Sequence, residues 1–202
     1  MGSKPVEKKP ECAPLPRSPE LMNREDSALL VVDAQEKLLR IIPGSERIIW
    51  NIRRLLDAAA ALGVPFAGTE QYPDKLSPTV AELKDRLGPA PDKLAFSACV
   101  CAEIYERWRA DGRFRVLVCG IETHVCIMQT AMDLVATGFE PYMAVDAIGS
   151  RYVVDHETAL RRMEAAGVVL TTTEAAMFEW CATAEAPEFK KISALAKEKP
   201  PA

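Results

Sequence analysis

The chain has 202 residues, 49% of them hydrophobic, which is enough for one substantial core and short for two. With 25 basic and 29 acidic residues the net charge is −4, no long basic stripe occurs and no apolar run reaches membrane-spanning length, so neither nucleic acid nor membrane is expected as a partner. Six scattered cysteines in a chain of this size, and no apolar leader at the N-terminus, predict reduced thiols and a cytoplasmic location.

Residues 1–26 mix Pro, Lys, Glu and Ser without periodicity and read as a disordered or extended arm; one domain is expected over 27–198, with a polar tail at 199–202. ALLVV at 28–32 is a buried strand by pattern, and it ends on Asp33. In 46–62, Ile48, Ile52, Leu55, Leu56 and Ala59 recur at helical spacing and Gly63 stops the helix. Residues 64–69 read as a second strand with a loop at 70–73. A helix over 78–87 is entered by Ser77 and Pro78. A third short strand is expected at 92–97, where Lys93 stands among apolar neighbours and needs a carboxylate partner, which Asp33 could provide. A helix over 101–110 follows.

The stretch 115–135 is a strand, a turn and a helix. Val116 to Cys119 form its buried run, Gly120 breaks it, and Thr123 is placed to cap the helix. Cys126 then falls in the first turn, where unpaired N–H groups and the helix dipole favour a thiolate. A cysteine is more often a small buried hydrophobe than a nucleophile, so partners decide its meaning. A fifth strand at 141–145 closes on Asp146, a helix covers 155–166, a sixth strand 168–170, and helices at 175–181 and 187–197 complete the chain. His124 and His156 are the two histidines, no paired CxxC spacing occurs, and neither metal nor cofactor is expected.

Strands alternating with helices predict an α/β fold: three αβα layers with a six-stranded parallel sheet. If it is doubly wound in the Rossmann-like order 3-2-1-4-5-6, strands 1 and 4 are neighbours at the topological switch point. Asp33 and Cys126 then meet in one crevice, within reach of Lys93. A thiol, a carboxylate and an ammonium suffice for nucleophilic catalysis, with Lys93 stabilising the thiolate and Asp33 taking and returning the proton.

The motifs VVDAQE around Asp33, TEQYPDKLSPTV after strand 2, KLAFS from Lys93 and CGIETHVCIMQTAMDL around Cys126 resemble those of the isochorismatase-like cysteine hydrolases, from Ala28 to about Leu195. TEQYP and CGIE look closest to the branch called isochorismatase domain-containing proteins. The resemblance implies a hydrolase of a small C–N bonded substrate: Asp33 as general base, Lys93 orienting it, and Cys126 forming a thioester with an amide-type carbonyl. It also implies a non-proline cis peptide at Ile121–Glu122, which aims the N–H groups of Glu122 and Cys126 at the oxyanion. Nicotinamidase-like members hold a metal through histidines after strand 2, where this chain has Glu70, Gln71 and Tyr72, so no metal is expected there. Gln35, Tyr72, Phe96, Ile121 and Val125 are expected to wall a small pocket that suits neutral amides. A homo-oligomer is also implied, with Tyr72, Pro73 and the helices around Trp108 and Trp180 as contact surfaces. Two other readings of the same residues are a catalytically quiet binding scaffold and a redox-sensing thiol with Cys119 nearby.

Overall fold

The computed structural model describes residues 16–201. Ser27–Val32 (β1), Phe66–Gln71 (β2), Asp92–Lys93 (β3), Arg115–Ile121 (β4), Glu140–Gly149 (β5) and Val169–Thr171 (β6) form one sheet. Its order is β3-β2-β1-β4-β5-β6 and every neighbouring pair is parallel, so the doubly wound order expected from the sequence is the one observed. The helices are Glu36–Leu39 (α1), Ser45–Leu62 (α2), Pro73–Leu76 (α3), Ala81–Leu87 (α4), Ala102–Ala110 (α5), Met128–Ala136 (α6), Val153–Ala165 (α7), Thr173–Cys181 (α8) and Phe189–Ala196 (α9). A 3-10 turn at Ala98–Val100 precedes α5, and a π-helical turn at Thr123–Ile127 precedes α6.

Helices on both faces explain why β1 and β4 are buried along their whole lengths and read as unbroken apolar runs. On one face α2 packs against β5, α4, α8 and α9. On the other, α6 packs against β5 and α7, and Tyr105 of α5 meets Phe139 edge to face.

Gly120 does not end its strand. β4 runs on to Ile121, and Gly120 pairs with Val32 of β1 at φ 118°, where a Cβ would stand 2.0 Å from the Val32 carbonyl oxygen. The glycine therefore serves the close approach of the two strands that carry the candidate site, a position where only hydrogen fits.

Several expectations are corrected by tertiary packing. The third strand stops at Lys93 because the chain then folds back to offer carbonyls to its own ammonium group. The fifth strand continues to Gly149, past an irregularity in its pairing with β4. Asp146 lies inside it, with Oδ1 accepting from the N–H and hydroxyl of Thr173. The helix expected over 78–87 begins at Ala81, since α3 and a left-handed Ser77 at φ 69° occupy the preceding loop. Trp108 and Trp180 are buried core residues: their helices turn these side chains inward, so neither indole lies on the expected contact surface, where Tyr72 is exposed and Pro73 partly so. Order also begins before Ser27: Met22 is buried and Tyr142 donates to the Glu20 carbonyl at 2.7 Å. Residues 1–15 of the expected arm lie outside the described residues.

Replacing Gly120 by alanine should force β1 and β4 apart. We expect a loss of more than about 3 kcal/mol, read as a collapse of the urea unfolding midpoint or failure to fold; a midpoint within error of the parent would show that the strands do not need this approach.

Candidate active site

β1, β2 and β3 present their carboxyl ends side by side, and each contributes to one buried cluster. Asp33 follows β1 in a left-handed conformation, φ 53°, and its N–H continues the ladder to the Thr69 carbonyl at 3.1 Å. Its carboxylate is divided between two partners: Oδ1 accepts from Thr69 Oγ1 at 2.8 Å and Oδ2 from Lys93 Nζ at 2.7 Å. Lys93 lies two strands away, about 9–10 Å across the sheet, a distance its long side chain spans beneath the end of β2. The same ammonium donates to Gln71 Oε1 at 2.7 Å, to the Phe96 carbonyl at 2.9 Å and to the Ala95 carbonyl at 3.2 Å. Neither side chain of the ion pair is exposed.

Gln71 was not singled out from the sequence. It pairs with Lys93 in the β2–β3 register, places Oε1 on the ammonium, and donates from Nε2 to the Leu94 carbonyl at 2.8 Å. The available signal was an amide at the end of the strand beside a buried lysine. Gln35, expected in the pocket wall, is fully buried and serves the same end of β2. Its Oε1 accepts from the Gln71 N–H at 2.7 Å, and its Nε2 donates to the carbonyls of Gln71 at 3.0 Å and Ser77 at 2.6 Å. With its polar atoms so occupied, Gln35 shapes the loop that carries Gln71. Glu70 is engaged too, with Oε1 accepting from the Thr79 N–H at 2.7 Å and hydroxyl at 2.8 Å.

Cys126 comes from the turn after β4, next to β1. The peptide bond Ile121–Glu122 is cis, at the position expected. Cys126 is buried in the π-helical turn, with the backbone N–H of Glu122 directed at its sulfur and with Asp33 and Lys93 near enough to act on its charge. Burial pushes the thiol well above its ordinary range, Asp33 pushes it the same way, and Lys93 opposes both. These effects oppose the easier ionisation expected from the helix N-terminus. Desolvation outweighs the dipole here, and the N–H groups of Val125 and Ile127 already share the Glu122 carbonyl at 3.1 and 3.2 Å.

Thr123 does not cap this turn. It is buried, and its Oγ1 lies 3.0 Å from His156 Nδ1. The connection to the lysine loop is made instead by Thr130, also missed in the sequence: its Oγ1 donates to the Cys126 carbonyl at 2.6 Å and accepts from the Ala98 N–H at 2.8 Å. One hydroxyl thus joins the cysteine's segment to the loop after Lys93.

The remaining expected binding residues are spread out. Ile121 is buried, Val125 is half-buried, and Tyr72 and Phe96 expose about half of their surface, 44% and 52%. Phe96 acts on the cluster through its carbonyl and Tyr72 through an N–H donated to the Lys93 carbonyl at 2.9 Å. Two cavities lie nearby. One of about 640 Å³ is lined by Arg47, Ser150, Arg151 and His156 among others, and one of about 760 Å³ by Lys93, Cys101 and Arg107 among others; Cys126 lines neither.

The sequence pattern of the isochorismatase domain matches residues 27–175. The chain is 38% identical over 180 residues to isochorismatase domain-containing protein 2A of Mus musculus, covering 88% of this chain and 85% of that protein. It is 36% identical over 178 residues to the secreted isochorismatase effector Isc1 of Phytophthora sojae, covering 85% of each. The solved structure of MAR1 ribonuclease from Caenorhabditis elegans superposes with a TM-score of 0.84 at 38% identity, over 90% of this chain and 95% of that one.

Two outcomes follow from this geometry. A thiol raised above its ordinary range is protonated at neutral pH, so alkylation of Cys126 by iodoacetamide, followed by peptide mass spectrometry, should keep accelerating beyond pH 9; a plateau near pH 7 would contradict a buried neutral thiol. Thr130→Val preserves shape and removes the hydroxyl, leaving the Ala98 N–H without its partner. It should cost about 1–3 kcal/mol in urea unfolding, and an unchanged midpoint would show that the link is dispensable.

Proposed function

Because this chain belongs to the isochorismatase domain family, we propose that it is a cysteine-dependent hydrolase of small amide-type substrates, acting through a thioester on Cys126. The observation that carries the reading is the convergence of Asp33, Lys93 and Cys126 in one dry cluster at the switch point of the sheet. Ion pairing alone does not explain a thiol held beside a buried carboxylate, since the carboxylate raises the cost of ionising it. The arrangement suits transfer of the thiol proton to Asp33 at the moment of attack.

In this mechanism the proton passes from Cys126 Sγ to Asp33 as the sulfur bonds the carbonyl carbon, and the oxyanion is received by the N–H groups of Glu122 and Cys126. Asp33 returns the proton to the leaving nitrogen, the C–N bond breaks, and ammonia or an amine departs. Water then attacks the thioester, Asp33 accepts its proton, and the C–S bond breaks to release the acid and the thiol. Lys93 keeps Asp33 oriented and balances its charge throughout.

The ammonium of Lys93 already faces one carboxylate and three amide oxygens, so it has little attraction left for a substrate anion. Small neutral amides are therefore the substrates of choice. The nematode relative is described as a ribonuclease; a net charge of −4 disfavours a polyanionic RNA as substrate here. A quiet scaffold is disfavoured by the retention of three chemically matched groups in a buried cluster that is costly to form.

Cys126→Ala should lower kcat on the best substrate of an amide panel at least about 10³-fold with the fold intact by circular dichroism, and Asp33→Asn nearly as much. Turnover by well-folded Cys126→Ala protein would rule out the covalent route. A panel on which the parent protein hydrolyses nothing, while Cys126 alkylates readily, would favour the scaffold.

A further inference from the structure

The turn that leads into Cys126 is held residue by residue from one direction. Glu122 Oε2 accepts from Arg151 Nε at 3.2 Å, Thr123 Oγ1 lies 3.0 Å from His156 Nδ1, and His124 Nδ1 lies 3.0 Å from Ser150 Oγ. All three partners belong to the segment between the end of β5 and the first turn of α7, and all three line the cavity of about 640 Å³. His124 also lies between carboxylates, 3.9 Å from Glu122 Oε2 and 3.8 Å from Asp155 Oδ2.

Glu122 has an unusual double position. Its backbone N–H is directed at the Cys126 sulfur, yet its own carboxylate is a largely buried negative charge. Covalent geometry keeps that carboxylate within about 5 Å of the N–H, so charge developing at the sulfur or at an oxyanion is opposed unless the carboxylate is balanced. Asp33 and Lys93 act on the sulfur from the strand ends, while the charged and titratable groups that face Glu122 and its turn are His124 from the turn itself and Arg151, Asp155 and His156 from the β5–α7 segment. Lys93 is committed to Asp33. The permanent cation within ion-pairing distance of Glu122, among the described residues, is Arg151.

We propose that Arg151 is a positioning residue for the reactive turn: by pairing with Glu122 it fixes the peptide N–H at the sulfur and neutralises the carboxylate that otherwise opposes negative charge there. The proposal rests on the reading of Cys126 as the nucleophile. It needs no contact between Arg151 and substrate, and Arg151 is itself partly exposed, so its replacement does not open the core. Ser150 and His156 then hold the next two residues in register, and Arg151 is the member whose charge matters.

The test reads Cys126 alkylation by iodoacetamide at fixed pH in the full chain, because this signal does not require that any amide be hydrolysed. Arg151→Gln should slow alkylation about tenfold, the effect of one uncompensated charge at this range, and where a substrate is turned over it should lower kcat with little change in KM. Arg151→Lys, which keeps the charge, should retain most of the alkylation rate. The double variant Glu122→Gln with Arg151→Gln should recover most of what Arg151→Gln alone loses, since it removes the charge that needs balancing. Wild-type alkylation in Arg151→Gln, or a double variant as slow as Arg151→Gln, overturns the proposal. Failure to find an amide substrate while this pattern holds would count against the hydrolase reading and leave the role of Arg151 standing.

Discussion

A carboxylate and an ammonium 2.7 Å apart, neither of them exposed, are the constraint on which the centre of this molecule depends. Taking two such charges out of water costs several kcal/mol per ion, and their attraction offsets this only when the remaining lone pairs and protons are satisfied. That requirement is met in detail. Thr69 supplies a hydroxyl to Asp33, Gln71 an amide oxygen to Lys93, and the chain after Lys93 bends so that two carbonyls point back at the ammonium. The shortness of β3, the buried amide of Gln35 and the left-handed backbone at Asp33 all belong to the same solution.

The Cys126 segment is tied to this pair through geometry rather than through a direct charge contact. β4 lies against β1 because Gly120 allows its backbone to approach Val32, and the turn after it brings Cys126 over the cluster. Thr130 then joins the cysteine's carbonyl to the loop after Lys93. A buried thiol beside a carboxylate is disfavoured as a thiolate, and in the proposed reaction its activation is left to a substrate that excludes water and accepts the developing charge. The same environment weakens the redox-sensor reading, since sensor cysteines are low in pKa and solvent-accessible. Cys119, the partner considered for such a sensor, is itself fully buried with its thiol pushed upward by burial.

Much of this was legible in the chain. The apolar runs that became β1 and β4, the helical spacing of Ile48, Ile52, Leu55 and Leu56, and the alternation of strands with helices determined the doubly wound class, because periodicity and strand–helix order are local properties that packing then respects. The ends of the first and fourth apolar runs also marked Asp33 and Cys126, and Lys93 stood out as a lysine among apolar neighbours that needed a carboxylate; such groups converge where their strands lie side by side.

Other features depended on which distant groups surround a residue, and these only the tertiary structure decided. Whether Cys126 rests as thiol or thiolate follows from desolvation by segments far away in sequence. Trp108 and Trp180 could be read as interface or core until their helices were oriented, and the packing made them core. Gln35 looked like a pocket residue and became a clamp on β2, while Gln71 and Thr130, which lie within the quoted motifs but were given no role there, hold the cluster together. The sequence by itself determined the order of elements and picked out Asp33, Lys93 and Cys126 as candidates; their positioning is set by long-range burial and hydrogen bonding, which no local pattern records.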